Sequence, residues 1–482
     1  YVGVWLWGGR LVGRSVGWAP CCVWSCDHGM DSFSGSMPGK DLLNKSVCLS
    51  VYICVQGRVR LLASCHMISS TGNDFNTVVC DVGAYQFRAG LAGQSDPVVF
   101  PTSTGYILED VSNDGPSTSG GVGSPLRNAK RKHTFVGNGV LQQNPEMIIR
   151  PVFSSSGLVD NWGGYEELWN YFFESRGIGH LSLMEGGTAL LVTEQPTVPP
   201  KDRERVCELL FEKFQVPLLS LVKTPVLGTF ANARTSAVAV DMGHSVITST
   251  VVQDGFFLRN SVQKSEFAGD RMNAHMKDAL ARLGASCLPE YLLNEEYTED
   301  AFHETYTRYH KLDLARRVKE NVCYVSPTPL SETFSAIPAT PYTLPDGTSI
   351  PLGAPRVEIP EMIFEPPYGG QYSRVEPLNK LVYNALRTQV NNPEFQRDMW
   401  GNIIVMGGSS TFVGTAERLT VELAPLTPKS ISVNVIAPKL HDRSKCAWLG
   451  GSILGTLQYE DLAMTKGEYA EHGAHFIAQR CP

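Results

Sequence analysis

Beyond residue 76 the chain alternates short apolar runs with amphipathic stretches of helical period. TVVCD (77–81) is apolar up to an acid, and a glycine and polar residues follow. AVAVD (237–241) repeats that design, with Asp81 and Asp241 160 positions apart. ALLVTE (189–194) reads as a further strand, and NIIVMGG (402–408) as a buried strand that meets a glycine turn. Between them, 202–214 sets Val206, Leu209, Leu210 and Phe214 on one face, and 313–324 is amphipathic as well, so both stretches predict helices. Strand and helix signals in alternation predict an α/β architecture.

The first 66 residues break this pattern. They contain Trp5, Trp7, Trp18 and Trp24, half of the eight tryptophans, and six of the twelve cysteines, without a sustained helical or strand period. We expect an atypical extension outside the fold, with Met67 as the start of the folded protein. Arg10, Arg14 and early glycines interrupt what would be the apolar centre of a secretory signal. The apolar run at 47–55 is too short to span a bilayer. Cys21, Cys22, Cys26 and His28 lack the spacing of a zinc site. A second irregular stretch, DVSNDGPSTSGGVGSP (110–125), predicts a surface loop within a polar insertion at 106–133. It leads to Arg127, Lys130, Arg131 and Lys132, which form either the solvated end of that loop or a nuclear-import signal.

Composition adds bounds. With 43% apolar and 18% charged residues over 482 positions, the chain can bury a large core and is expected to form two or three compact units. A net charge of −7 argues against a surface coated uniformly by nucleic acid, while leaving room for a local basic patch. Cys80, Cys207, Cys287, Cys323, Cys446 and Cys481 are scattered, as expected of reduced thiols in the cytosol or nucleus.

The paired Asp-x-Gly strands carry the chemistry. A strand that ends there and turns back sharply presents backbone N–H groups in a concavity suited to phosphate oxygens. Glycine allows the close approach. The acid cannot ligate phosphate, so its expected partner is Mg²⁺, reached through ordered water because that ion keeps several waters. Two such clamps facing each other would grip the phosphates of a nucleotide between two halves of the molecule.

From about residue 76 to the end, the chain resembles the actin family. The resemblance rests on DVGAYQFRAGLAGQSDP followed by VVFP, then LVDNWGGYEELWNYFF, LLVTEQP, FANARTSAVAVDMG, VKENVCYV, LPDG, the GGSS turn and WLGGSIL, in that order. It implies the α/β fold shared by actin, hexokinase and heat-shock chaperones, with a nucleotide cleft between two duplicated α/β domains. One domain is expected to hold 76–231 with 446–482, and the other 232–445. Within the family, LVKTPVLGTFANARTS and the ending Arg480-Cys481-Pro482 are similar to a nuclear class whose members are subunits of chromatin complexes.

The resemblance also implies roles residue by residue. Asp81 and Asp241 keep the acids of the clamps, and Gly83 and Gly243 their turns. Lys319 and Glu320 match the adenine-side pair, Gly407, Gly408 and Ser409 the turn beside the adenosine, and Gly269 a further cleft glycine. Arg88 stands in place of a phosphate-facing lysine, keeping the charge with a different geometry. Other positions depart. Ala84 and Tyr85 replace the serine and glycine of the first clamp, and His244 replaces an acid of the second. Thr224 and Thr248 replace the glutamine that positions water and its partner histidine. ATP with Mg²⁺ is therefore the expected ligand, with weak or absent hydrolysis.

Filament contacts in the family use an apolar loop tip and an apolar plug. Here the polar, basic insertion overwrites the first, and EPPYGGQYS, with Tyr368 followed by Gly369, lacks a bulky apolar residue at the second. The expectation is a protein that does not polymerise and lies in the nucleus, with the cytoplasm a further possibility. It would work beside nuclear actin and dock on a helical scaffold segment of a remodeller or acetyltransferase subunit, with histones or the nucleosome as further candidate partners and no membrane contact. The competing expectations are a divergent cytoskeletal filament protein and an ATPase of the sugar-kinase or chaperone type.

Overall fold

The computed structural model describes residues 51–55, 58–63, 77–110, 130–174, 188–285, 289–293, 298–330, 337–367, 375–388, 392–457 and 462–482. The chain divides into two units, Tyr1–Asp74 and Phe75–Pro482. In the first, Val51–Val55 pairs antiparallel with Arg58–Ala63, so strand structure occurs in a segment whose sequence showed no sustained period. Cys21, Cys22, Cys26 and His28, the stretch 111–129 with Arg127, and Tyr368 and Gly369 lie outside the described residues.

The second unit is built on two large sheets. Their strands in chain order are β1 (Thr77–Val82), β2 (Gln86–Leu91), β3 (Val98–Pro101), β4 (Ala189–Glu194), β5 (Leu218–Lys223), β6 (Ala237–Met242), β7 (Ile247–Gln253), β8 (Phe256–Phe257), β9 (Gln263–Ser265), β10 (Ile403–Met406), β11 (Val435–Ile436) and β12 (Met464–Thr465). The first sheet runs β12-β5-β4-β1-β2-β3. The second runs β8-β7-β6-β10-β11, with β9 beside β7.

The same device lies at the centre of each sheet. β1 is antiparallel to β2 and parallel to β4, and β6 is antiparallel to β7 and parallel to β10. The registers correspond as well. Val82 faces Phe87 and Asp81 faces Arg88 in one ladder; Met242 faces Ile247 and Asp241 faces Thr248 in the other.

These strands form because both of their faces are covered. Val78, Val79 and Cys80, and likewise Val238, Ala239 and Val240, are inaccessible to solvent or nearly so, as expected for central strands read as continuous apolar runs. On one face of the first sheet, helix α1 (Trp162–Glu174) contributes Leu168, Trp169 and Phe172 to a core with Val78 and Cys80. The other face packs Val79 and Leu191 against α2 (Thr224–Ala231) and α7 (Cys446–Gly455), through Leu227 and Trp448. Trp448 Nε1 donates to the Val79 carbonyl at 3.2 Å, tying the C-terminal segment to β1. The two helices approach so closely at Gly450 that a Cβ there would stand 1.9 Å from the Leu227 carbonyl oxygen, which only glycine avoids.

The second sheet is covered by α3 (Gly269–Arg282), α4 (Glu304–Val322), α5 (Leu378–Arg387) and α6 (Thr415–Leu423), which share one large core with β6, β7 and β10. The helix expected at 313–324 is thus longer and starts at Glu304. Its first turns bury Tyr306 against Val140, Met147 and Ile149 beside a three-stranded sheet, so the apolar stripe changes partner along the helix. The helix expected at 202–214 is observed as Pro200–Glu208 followed by a π-helical turn, Leu209–Lys213.

That three-stranded sheet joins Ser103–Asp110 to Lys130–Phe135 and Ile148–Pro151. Lys130, Arg131 and Lys132 are therefore on a paired strand, with Asp110, Glu109 and Leu108 opposite, so the backbone of these three is strand and not the loop end expected. Five cysteines, Cys80, Cys207, Cys323, Cys446 and Cys481, are free and buried. No helix among the described residues is long and apolar enough to cross a membrane.

Candidate functional site

Both Asp-x-Gly turns close in the same way. The Gly83 N–H donates to the Gln86 carbonyl at 3.1 Å, and the Gly243 N–H to the Val246 carbonyl at 3.1 Å. The glycine amides are thus spent on the turns themselves. Between the turns lies a cavity of about 410 Å³, whose wall includes Asp81, Gly83, Ala84, Tyr85, Arg88, Asp241, Gly243, His244, Gly269, Lys319, Glu320, Gly407, Gly408 and Ser409, all singled out from the sequence. It opens at the carboxyl ends of β1, β4, β6 and β10, the end at which α/β sheets form crevices.

The two acids have different surroundings. Each oxygen of Asp81 has a donor: the Thr193 hydroxyl donates to Oδ1 at 2.7 Å, and Arg88 donates to Oδ2 at 3.2 Å. Arg88 also donates to Gln86 Oε1 at 3.0 Å. The ladder that sets Arg88 opposite Asp81 sets only Thr248 opposite Asp241. Burial, and next the charge of Asp81, push the Asp241 carboxyl up to about 6; the neighbouring Thr224 hydroxyl and Arg88 oppose this. Asp241 is half-buried and lines the cavity.

Around the second clamp the backbone is held by the other elements. Ser409 donates through Oγ to the Gly243 carbonyl at 2.8 Å, and the Asp270 N–H donates to the His244 carbonyl at 2.8 Å. Gly407 has φ +90°, and a Cβ on it would stand 2.5 Å from the Met242 carbonyl oxygen and 2.6 Å from Asp241 Oδ1. Both the conformation and the approach require glycine at this position.

Lys319 and Glu320 are adjacent in sequence and act apart. Lys319 is buried, donates to the Gly269 carbonyl at 3.3 Å and lies 5.8 Å from the Phe412 ring centre. Burial lowers its ammonium to about 8, with Glu320 opposing. Glu320 is paired instead with Arg316, at 2.6 Å. Burial also drives His244 down to about 3, helped by Lys319 and Arg316, so its imidazole is neutral near pH 7.

Sequence reasoning missed part of the wall. Thr193, Glu194 and Gln195 close it at the end of β4, Asn273 from α3, Arg316 from α4 and Phe412 after β10. A signal was available for three of them: Thr193 and Glu194 end ALLVTE at the level of the clamp strands, and Asn273 is four residues beyond Gly269 on one helix. Glu194 is held by Lys223 and Arg203 at 2.9 and 2.8 Å. Gln195 Oε1 and Asn273 Oδ1 are buried acceptors without a hydrogen-bond partner. Of the two threonines that replace the water-positioning pair, Thr224 lines the cavity, whereas Thr248 is buried in β7 and does not.

Comparison with known proteins agrees with this geometry. The sequence profile of the Actin family matches residues 72–482. "Actin-related protein 4" of Oryza sativa subsp. indica is 29% identical over 449 residues, covering 85% of this chain and 99% of that protein. The protein of the same name from Arabidopsis thaliana is 29% identical over 446 residues, with the same coverage of both chains. These relatives belong to the class that the LVKTPVLGTFANARTS tract and the C-terminal ending resemble. With paired α/β sheets, two matched clamps and a family match over most of its length, the chain belongs to the actin family.

Proposed function

We propose that the chain is a nuclear actin-related protein that holds ATP with Mg²⁺ between its two clamps without polymerising, as a structural subunit of chromatin-remodelling or histone-modifying complexes. In this reading the domains 76–231 with 446–482 and 232–445 flank the cleft. The observation that carries it is the cavity walled from both sides by matched Asp-x-Gly turns. Likeness to proteins called actin-related protein 4 over almost their whole length supports the assignment to that class.

The side chains present fit such a ligand. Asp81 and Asp241 converge on one cavity, where burial and next the charge of Asp81 raise the Asp241 carboxyl. Mg²⁺, when bound, would neutralise phosphate charge, and Asp81 and Asp241 would hold it through ordered water. Arg88, Arg316 and Lys319 bring positive charge to the wall, while the bare oxygens of Gln195 and Asn273 can accept from a ligand's hydroxyl or amino groups. The same wall is poor at hydrolysis. Thr224 is too short to orient water as a glutamine would, Ala84 has no hydroxyl, and an imidazole at about 3 is a weak base at pH 7.

The nucleotide would then act structurally and set cleft closure, while the protein docks beside nuclear actin on a scaffold helix, within reach of histones. Two measurements test this. Nucleotide content after purification with single-turnover phosphate release should give retained ATP and negligible turnover. Affinity purification should recover chromatin subunits. An empty cleft, fast phosphate release, or a set of cytoskeletal partners alone would each overturn the reading.

A further inference from the structure

Tyr85 follows the first Asp-x-Gly and stands where two cavities meet. One is the cleft described above. The other, of about 380 Å³, is walled by Tyr85, His244, Asn273, Asp313 and Arg316 among others. The Tyr85 hydroxyl donates to Asp313 Oδ1 at 2.9 Å. Its ring centre lies 5.0 Å from that of His244, and the Arg316 guanidinium stands 5.0 Å from the ring. His244 belongs to the turn after β6, and Asp313 and Arg316 to α4, so all three contacts reach from the first sheet's turn to elements of the second sheet.

The receiving side is already organised. Arg316 donates to Asp313 Oδ1 at 2.8 Å and pairs with Glu320 at 2.6 Å. The carboxylate and guanidinium are thus held in place before the phenol arrives. A hydrogen bond to a charged acceptor is stronger than one between neutral groups, and ring contacts with an imidazole and a guanidinium add to it. None of these contacts involves a ligand.

We propose that Tyr85 is a positioning residue that latches the first clamp to α4, and so governs how long a nucleotide stays in the cleft. This rests on the nucleotide-binding reading above. A link that favours the closed arrangement before binding lowers the conformational cost of holding the ligand and slows its escape. The phenol is also part of the wall that the two cavities share, with Ala84, His244, Asn273 and Arg316.

The test is release of a fluorescent ATP analogue from the full chain, chased with excess MgATP. Tyr85→Gly should speed release at least tenfold, and Tyr85→Phe, which keeps the ring contacts and loses the hydrogen bond, about threefold. A second arm uses no nucleotide: hydrogen exchange in 82–88 and in α4 should rise in Tyr85→Gly. If the wild type binds no analogue while exchange rises in the variant, the nucleotide reading fails and the latch stands. Unchanged release from Tyr85→Gly in a protein that binds the analogue overturns the proposal. For a protein that does not bind it, unchanged exchange overturns the latch. Tyr85→Phe guards against a folding defect, since it preserves the packing of the turn.

Discussion

The turns at 82–87 and 242–247 share strand pairing, register and the glycine-to-carbonyl hydrogen bond, yet they differ in charge. In the first, a cross-strand arginine compensates the acid inside the protein. In the second, the equivalent position is threonine and the acid is pushed toward protonation. Backbone symmetry therefore does not imply functional symmetry. A fold duplicated at the level of hydrogen bonds divides its labour through the one residue seven positions past each acid. The first acid has its counter-charge within the protein, and the second has a threonine opposite it.

The largest expected effect tests what the two clamps share. With ATP and Mg²⁺ at a hundred times the dissociation constant, the wild type should gain about 2.7 kcal/mol of stability from ligand linkage. Asp81→Ala and Asp241→Ala should each lose most of that gain in thermal melts. Full protection of either variant would mean that its clamp takes no part in binding.

A second experiment separates the clamps, because without nucleotide at pH 8 the two substitutions should differ in sign. Asp81→Asn leaves Arg88 without its carboxylate and should cost about 2 kcal/mol in urea unfolding, discounted from the fully buried case because the pair keeps some solvent contact. Asp241→Asn removes an uncompensated buried charge and should be neutral or stabilising by about 1 kcal/mol. Equal destabilisation by both would erase the proposed asymmetry.

Smaller still is the acid response of His244. Its folded value is lowered to about 3 from 6.5, so the unfolded chain binds the proton first. The histidine therefore costs nothing above pH 6.5, and its penalty grows as pH falls from 6.5 toward 3. At pH 5.5 this amounts to about 1 kcal/mol. His244→Asn should reduce the loss of stability between pH 7 and 5.5 by that amount. Raised Asp241 and Asp270 act with the opposite sign, adding stability as pH falls from 6 toward 3.8, so the comparison between wild type and variant is the informative quantity. An unchanged acid limb would mean that the imidazole is free to protonate in the folded state.

The smallest change concerns turnover. Thr224→Gln returns a water-orienting amide to the cavity wall, but Ala84 and Tyr85 remain in the first clamp. Single-turnover phosphate release should rise less than tenfold. A much larger rise would make position 224 the sole brake on hydrolysis.

How much was legible in the sequence differs between the clamp and its surroundings. Asp81, Gly83, Asp241 and Gly243 were readable because each is part of a local pattern, an apolar run that stops at an acid and a turn residue. The strands at 189–194 and 403–406 were readable for the same reason. The start of α4 was not. Its first turns bury a face against a different small sheet, and the apolar period shifts along the helix. Nor was the paired strand Lys130–Phe135, whose basic residues carry no period-two apolar signal.

The chain's local order by itself determined the two clamp strands and their turns, since hydrophobic period and turn chemistry act over a few residues, and the order of its motifs carried the family resemblance. Only the tertiary structure decided what those turns meet. Thr193 reaches Asp81 across 112 positions, and Asp313 reaches Tyr85 across 228. The burial that shifts Asp241, His244 and Lys319 arises from elements spread over much of the second unit. Charge compensation and desolvation depend on distance in space, which local sequence does not encode. The same Asp-x-Gly can therefore end in an ion pair in one sheet and in a carboxyl raised by burial in the other.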